Sequence, residues 1–400
     1  MQTPQTPLPA QNKSVRVGII GVGNIGSAHA ACIYGGQVEG LVLAGLCDTA
    51  PAVAEAVKGL YPDVPFYDNA DALLEADIHM VLIAAPHPMH TELAVKAFAK
   101  GKHVLVEKPM DITLSKGRAL AEAAKNSGRL FGIMFNQRTG NLFQKAKQIV
   151  ESGALGRLKR SVWIITNWYR TQAYYDSGSW RATWAGEGGG VLMNQCPHQL
   201  DLWQWICGMP ESITAFCDEG KYHSIEVEDN ATIVAKFPGG ADGLFVTSTG
   251  EAPGTNRLEI SGTLGKLVLE EGKLKWWRLQ EDERQVCYGS EFSNAKIPFD
   301  YEELAQEKNN GHRAILQNFT NALLHGEPLI APGYDGLNQL TIQNAAYLSA
   351  WKGSVPVALP FDTAEYDALL AQKQSASQGV VKTGTHKQSS QYSSRWQINW

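Results

Sequence analysis

Between residues 15 and 135 the chain alternates short apolar runs with amphipathic stretches about ten residues long. The runs at 15–20, 41–47, 65–67, 79–84, 104–106 and 130–135 read as strands. They lack polar alternation, as strands covered on both faces do. Stretches at 25–34, 70–76, 91–100 and 115–127 carry helical spacing. Strands alternating with helices of this length predict βαβ units and a doubly wound parallel sheet. After Asn136-Gln137-Arg138 the texture changes. A helix over 142–152 leads through Gly153 and Gly156 into a long strand over 158–168, then a loop rich in aromatic and arginine residues, then a helix ending at Cys207. Runs at 211–219, 229–237, 242–250, 257–262, 266–270 and 274–279 follow with no helices between them, which predicts an antiparallel sheet. Helices over 311–325 and 335–352 close the patterned region. The leader 1–14 is polar and reads as a disordered arm. From about Lys373 the chain is rich in Ser, Gln, Lys and Gly and reads as a tail, in which Trp396 and Trp400 are unusual.

The first strand runs directly into Gly21-Val22-Gly23-Asn24-Ile25-Gly26. Gly-x-Gly-x-x-Gly permits a tight turn, close approach of a pyrophosphate and close packing of helix on strand. Alone the pattern is weak, but here a strand precedes it and a helix follows. The second strand ends at Asp48, about 20 positions beyond the last glycine, where an acidic residue meets the adenosine ribose. An aspartate before Pro51 also caps a helix, and the two roles are compatible. Thr49 and Ala50 follow, with no arginine for a 2′-phosphate, so the cofactor expected is NAD rather than NADP.

Glu107-Lys108-Pro109 sits at the carboxyl end of the run 104–106, the side of a parallel sheet where ligands bind. A lysine placed there is partly desolvated, which lowers its proton affinity toward working pH. Pro109 stiffens the lysine backbone. His87 and His90 stand at the end of another strand, where histidines often only cap the next helix. Farther on, Gly188-Gly189-Gly190 leads to Asn194, His198 and Asp201. On one continuous helix these three would share a face, although Pro197 would start or kink a helix there. A glycine-rich approach followed by polar groups suggests backbone lying close to a ligand.

Composition narrows the classes. With 44% hydrophobic and 19% charged residues in 400, the chain is an ordinary globular one of two or three domains. A net charge of −5 gives no electrostatic case for nucleic acid or anionic membrane. No apolar run approaches the ~18 residues of a membrane span. Six cysteines without a Cys-x-x-Cys pair suit a reducing cytoplasm, and no metal cluster is expected.

In these motifs, taken in order, the chain resembles the Gfo/Idh/MocA family of nicotinamide-dependent oxidoreductases. The resemblance covers about 15–360 and includes Trp180-Arg181, His198-Gln199-Leu200-Asp201, Gly336-Leu337 and the stretches 345–350 and 355–360. It implies an α/β fold: a Rossmann domain over 15–136, then an α/β domain over 137–360 whose large, open, mostly antiparallel sheet supports a homo-dimer or homo-tetramer. An extension and tail occupy 361–400. It implies Lys108 and His198 as a catalytic pair acting on a secondary hydroxyl of a sugar, inositol or glycoside. The candidate cofactor contacts are Gly21, Gly23, Asn24, Ile25, Asp48, Ala85, His87, His90, Glu107, Lys108, Asn136, Trp180 and Arg181. Those for the carbohydrate are Lys108, Asn136, Trp168, Tyr169, Asn194 and His198. The sequence departs from the family at Asn194, where many members carry aspartate, and at Pro197. Asn hydrogen-bonds a hydroxyl but holds no charge, which removes a proton relay at 194. Two rival readings are an NAD-dependent glycoside hydrolase working by transient oxidation and elimination, and a non-catalytic sensor of NAD or sugar.

Overall fold

The structure, a computed structural model, describes residues 13–178 and 180–378. The arm up to residue 12 and the tail from 379 onward, with Trp396 and Trp400, lie outside the described residues. The described chain forms two compact units, 13–139 with 309–340 and 140–308 with 341–378.

The first unit contains β1 (Val15–Ile20), α1 (Asn24–Tyr34), β2 (Leu41–Cys47), α2 (Pro51–Leu60), β3 (Phe66–Tyr67), α3 (Ala70–Leu74), β4 (Met80–Ile83), α4 (His90–Ala99), β5 (His103–Val106), α5 (Leu114–Ser127) and β6 (Phe131–Ile133). Its six strands lie in the order β3-β2-β1-β4-β5-β6, every pair parallel. Val17, Ile19, Val81, Leu82, Val104 and Leu105 are wholly enclosed, which is why these strands show no polar alternation. The winding reverses between β1 and β4, and that reversal opens a crevice outside the carboxyl ends. The helix α2, not among the sequence expectations, starts with Pro51, whose fixed φ and missing N–H suit a first helical position.

The chain returns to this unit at 309–340, which a reading of 137–360 as one stretch does not anticipate. The returning segment covers the free edge of β6: Ile133 N donates to Ala331 O at 3.1 Å, and Gly132 bridges to Pro332. Buried Arg138 donates to Asp335 Oδ2 at 2.6 Å. Phe319, on the helix Gly311–His325, lies where a Cβ on Gly132 would stand only 2.9 Å away.

In the second unit β7 (Leu158–Ile165), β8 (Ser212–Glu219), β9 (Glu228–Lys236), β10 (Asp242–Ser248), β11 (Asn256–Gly262), β12 (Gly265–Glu270), β13 (Lys273–Leu279), β14 (Phe299–Ala305) and β15 (Val357–Ala358) form one open sheet. Its order is β14-β13-β12-β11-β7-β10-β9-β8-β15. All neighbours are antiparallel except β7 and β10, because β7 enters between two strands that come much later in the chain. The sheet is therefore mixed but largely antiparallel. Edge strand β14 escaped the hydrophobic pattern because almost every residue in it is exposed. The helix Thr363–Ala376, its Tyr366 and Leu370 buried, runs past Lys373, where the sequence suggested a tail. Trp163 and Trp203 are core residues, each ring against Phe245.

Candidate active site

Two of the three glycines in the first turn are required by the fold itself. Gly21 has φ +90°, and a Cβ there would lie 2.6 Å from Ala84 O; a Cβ on Gly26 would lie 1.9 Å from Gly21 O. Gly23 is different: a Cβ would meet no protein atom within 4 Å, so its smallness keeps space clear outside the turn. α1 starts there without a side-chain cap, leaving its first N–H groups directed outward as an anion site. Asn24 Oδ1 is buried and has no hydrogen-bond partner within the protein. Asp48 braces the turn, its Oδ2 accepting from Val22 N at 2.8 Å and its Oδ1 from Ala50 N at 3.0 Å. Each oxygen keeps a second lone pair for a ribose hydroxyl. The residues fit a dinucleotide, with the turn for its pyrophosphate and Asp48 for its adenosine ribose.

A carboxylate in that place repels a 2′-phosphate. NAD is therefore expected to bind more tightly than NADP, and Asp48→Ala to narrow the difference. Titration of both cofactors checks this, and equal or tighter NADP binding would refute it.

Ala85, His87 and His90 follow β4, and Glu107 and Lys108 follow β5. Ala85 lies half-buried, and so does His87, in the short turn His87–Met89. His90 is completely buried, with Nε2 2.8 Å from Ala85 O and Nδ1 2.8 Å from Pro109 O. Expected among the cofactor contacts, it instead braces the end of β4 against the cis Lys108–Pro109 peptide, both ring nitrogens occupied. Burial lowers its proton affinity, and the two carbonyls oppose that.

Glu107 is likewise turned inward. Its Oε1 lies 2.8 Å from His29 Nε2, and its Oε2 accepts from Lys108 N at 3.2 Å. Burial alone would raise its pKa, but the hydrogen bond and charge of His29, with His312 and Lys108, hold it down at about 2. His312, on the helix Gly311–His325, meets His29 edge-on at 5.5 Å. Burial, then His29, pushes its pKa to about 4, so its ring is neutral near pH 7. Asn136, just past β6, places Nδ2 3.3 Å from His312 Nδ1 and leaves a buried Oδ1 without a protein partner. Lys108 itself is half-buried. The sequence reading missed His29 and His312. The first sits on the inner face of α1, and the second lies far along the chain in a helix with no motif.

In the second unit the Gly188-Gly189-Gly190 run is close to backbone and side chains of the protein, which corrects the idea of a ligand-facing stretch. A Cβ on Gly190 would lie 1.9 Å from Glu228 O, and one on Gly189 2.3 Å from Tyr347 Oη. Buried Glu228 accepts from Gly190 N and Leu192 N, each at 2.9 Å, and from Tyr347 Oη at 2.7 Å. Burial outweighs these bonds and lifts its pKa to about 7.

Asn194 ends the short helix Val191–Asn194 and donates to Glu187 Oε1. His198 belongs to a second helix, Pro197–Cys207, which Pro197 starts; the single helical face drawn through 194 and 198 is therefore absent. His198 and Asp201 do share that second helix and are both buried. Arg181 donates to Tyr174 Oη at 2.7 Å, lies 3.8 Å from Glu187, and packs its guanidinium 4.6 Å from the Trp180 ring. Gln195 reaches the same Tyr174 hydroxyl at 3.2 Å. Trp168 is buried, whereas Tyr169 is exposed. The second unit thus brings together Trp180, Arg181 and Asn194 around Glu187 and Tyr174.

Residues 15–135 match the model of an oxidoreductase family with an NAD-binding Rossmann fold. Residues 143–268 match the GFO/IDH/MocA C-terminal domain. The chain belongs to the Gfo/Idh/MocA family, and its first unit is an NAD-binding Rossmann domain. It is 24% identical over 358 residues to an inositol 2-dehydrogenase of Rhizobium meliloti, spanning 86% of this chain and 100% of that protein. Over 314 residues it is 27% identical to a levoglucosan dehydrogenase of Pseudarthrobacter phenanthrenivorans, 70% of this chain and 77% of that one. An uncharacterized oxidoreductase of Schizosaccharomyces pombe is 31% identical over 218 residues, so the chain spans only 58% of that relative. Among solved structures, the WlbA dehydrogenase of Chromobacterium violaceum in complex with NADH and UDP-GlcNAcA superposes with a TM-score of 0.75 at 25% identity, covering 89% of this chain and 98% of that one.

Proposed function

We propose that this NAD-dependent dehydrogenase interconverts a secondary alcohol and a ketone on a sugar, inositol or glycoside, with Lys108 and His198 as its catalytic residues. The observation carrying the reading is Lys108, half-buried at the carboxyl end of β5, the same side of the parallel sheet as the glycine turn and Asp48. NAD, when bound, accepts the hydride or returns it. Lys108 takes the hydroxyl proton in oxidation and gives it back in reduction. His198 hydrogen-bonds the reacting hydroxyl or its neighbour. Asn194, Trp168 and Tyr169 are the candidates to hold the ring, and Asn136 offers its buried Oδ1 to a ligand donor. The inositol and levoglucosan dehydrogenases among the relatives support a carbohydrate substrate. A screen of monosaccharides, inositols and glycosides, followed by NADH absorbance, tests the reading; the absence of any NAD-linked oxidation across the screen would overturn it. Aglycone release without added NAD would favour the hydrolase instead.

The same reading includes a homo-dimer or homo-tetramer in the cytoplasm. One face of the second unit's sheet aligns Val162, Ile164, Val234, Leu244 and Val246 on adjacent strands, and Phe216, 54% exposed, lies on the same face beyond Thr232. Such an apolar face supports its use as an association surface. Light scattering is expected to show an oligomer at micromolar concentration, and a monomer would refute it. No helix of the described residues is long and apolar enough to cross a membrane, and no disulfide joins any of the six cysteines.

A further inference from the structure

We propose that the helix Thr363–Ala376 is a latch that holds the segment 180–187, and with it Arg181 and Asn194, in the shape the ligand site requires. Its functional meaning rests on the proposed assignment of Arg181 to the cofactor and Asn194 to the carbohydrate. The segment has a shape that its own residues do not favour. Ala182 stands at φ +58°, a left-handed conformation that is costly for a residue with a Cβ and persists only where the surroundings impose it. That turn decides where the ligand-site groups stand. Ala182 N donates to Glu187 Oε2 at 2.7 Å, and the same carboxylate accepts from Asn194 Nδ2 and lies 3.8 Å from Arg181.

The rest of the constraint comes from the end of the described chain. Trp184, 4% exposed, sets its ring edge-on against Tyr347 at 5.5 Å and Trp351 at 5.3 Å, both on the helix Gly336–Trp351. Trp351 is in turn sandwiched, stacked on Tyr347 at 5.5 Å and on Tyr366 of the latch helix at 5.4 Å. Two turns beyond Tyr366, Lys373 Nζ lies 5.2 Å from the Trp184 ring and 5.5 Å from that of Trp351, and it pairs with Glu219 at 2.7 Å. Gln374 Nε2 donates to Trp184 O at 3.4 Å. Past the helix, Ser377 Oγ and Gln378 N both donate to the Glu226 carboxylate, and the Glu226 backbone N–H donates to Ala182 O at 3.3 Å. Residues 182 and 184 are thus both tied to one helix. A helix that only covered the core would bury Tyr366 and Leu370 without reaching either. Those two are its only buried residues, so little apolar surface holds it, and it can release the segment while the sheet stays folded.

The test is amide hydrogen exchange, read by mass spectrometry on the full chain without cofactor. Ala182, Glu187 and Gly188 donate their amides within the segment, so peptides covering 180–188 report its opening. Peptides from β9 and β10 serve as reference. In Trp351→Leu, exchange over 180–188 is expected to quicken by about tenfold and to run well ahead of the reference strands. No change over 180–188 overturns the proposal. So does exchange of segment and strands together, which would give the helix a part in global stability alone. Should Trp351→Leu fail to fold, Lys373→Gln, at a partly exposed position, must quicken exchange over 180–188 in the same way, and no change there overturns the proposal as well. Saturating NAD is added as a separate arm. If the variants behave as stated but NAD leaves exchange over 180–188 unaltered, the latch stands and the assignment of Arg181 to the cofactor falls.

Discussion

Lys108→Ala is expected to lower turnover by about 10²–10⁴, the usual contribution of a positioned acid–base group. That corresponds to roughly 3–5 kcal/mol of barrier. NAD affinity should change little, because the phosphates are assigned to the glycine turn and the ribose to Asp48. His198→Ala should lower turnover and also weaken carbohydrate binding, since it is assigned to orient the reacting hydroxyl. The two losses should combine non-additively, as for groups acting as one unit. Asn194→Asp supplies a control of opposite chemistry. It sets a second carboxylate against Glu187, to which Asn194 donates, and should not raise activity. Steady-state kinetics with saturating NAD measures all three, and near-normal turnover in Lys108→Ala would reject the mechanism.

The second large effect concerns Glu228 and is one of stability. Glu228→Ala strips the acceptor from Gly190 N, Leu192 N and Tyr347 Oη, all of them buried. An orphaned buried donor costs ~1–3 kcal/mol, so a total loss of about 3–5 kcal/mol is expected by denaturant unfolding. The pH dependence has a definite sign. The folded protein holds the Glu228 proton up to about pH 7, well above the usual carboxylate value of 4.5. Its contribution to stability is therefore complete below about pH 4.5 and is lost as pH rises through 7. Glu228→Gln cannot titrate and should flatten that part of the stability profile. An unchanged slope between those limits would show that Glu228 titrates normally.

How much of this was legible depends on whether the cause is local. The strand into Gly21 and the helix after it declare themselves in sequence, because a buried strand must be apolar and the turn admits only glycine at positions 21 and 26. The run at 188–190 misled for the same physical reason. Glycine reports that something comes close but not what it is, and here the neighbours are Glu228 and Tyr347. Glu107-Lys108-Pro109 stands out in the sequence because it ends an apolar run, whereas His29, bonded to Glu107, and His312 carry no local signature. His90 looked like a ligand contact because position at a strand end cannot reveal that both its nitrogens already face carbonyls. Strand β14 was invisible for want of an apolar face, and the parallel pairing of β7 with β10 because nothing in a strand's residues states its neighbour.

The return of residues 309–340 to the first unit has a consequence for the order of events during synthesis. When residue 139 has been made, all six parallel strands exist, but the helix carrying Phe319 and His312 does not. Neither does Asp335, so Arg138 would be enclosed without its carboxylate, and the outer edge of β6 would stand open. A nascent Rossmann sheet in this state is a template for strand pairing with other chains. Completing it requires closing a loop of some 170 residues that carries the larger part of the second unit. Folding of the cofactor domain is thereby deferred until most of the polypeptide has emerged, and the NAD site matures late in the chain's own assembly.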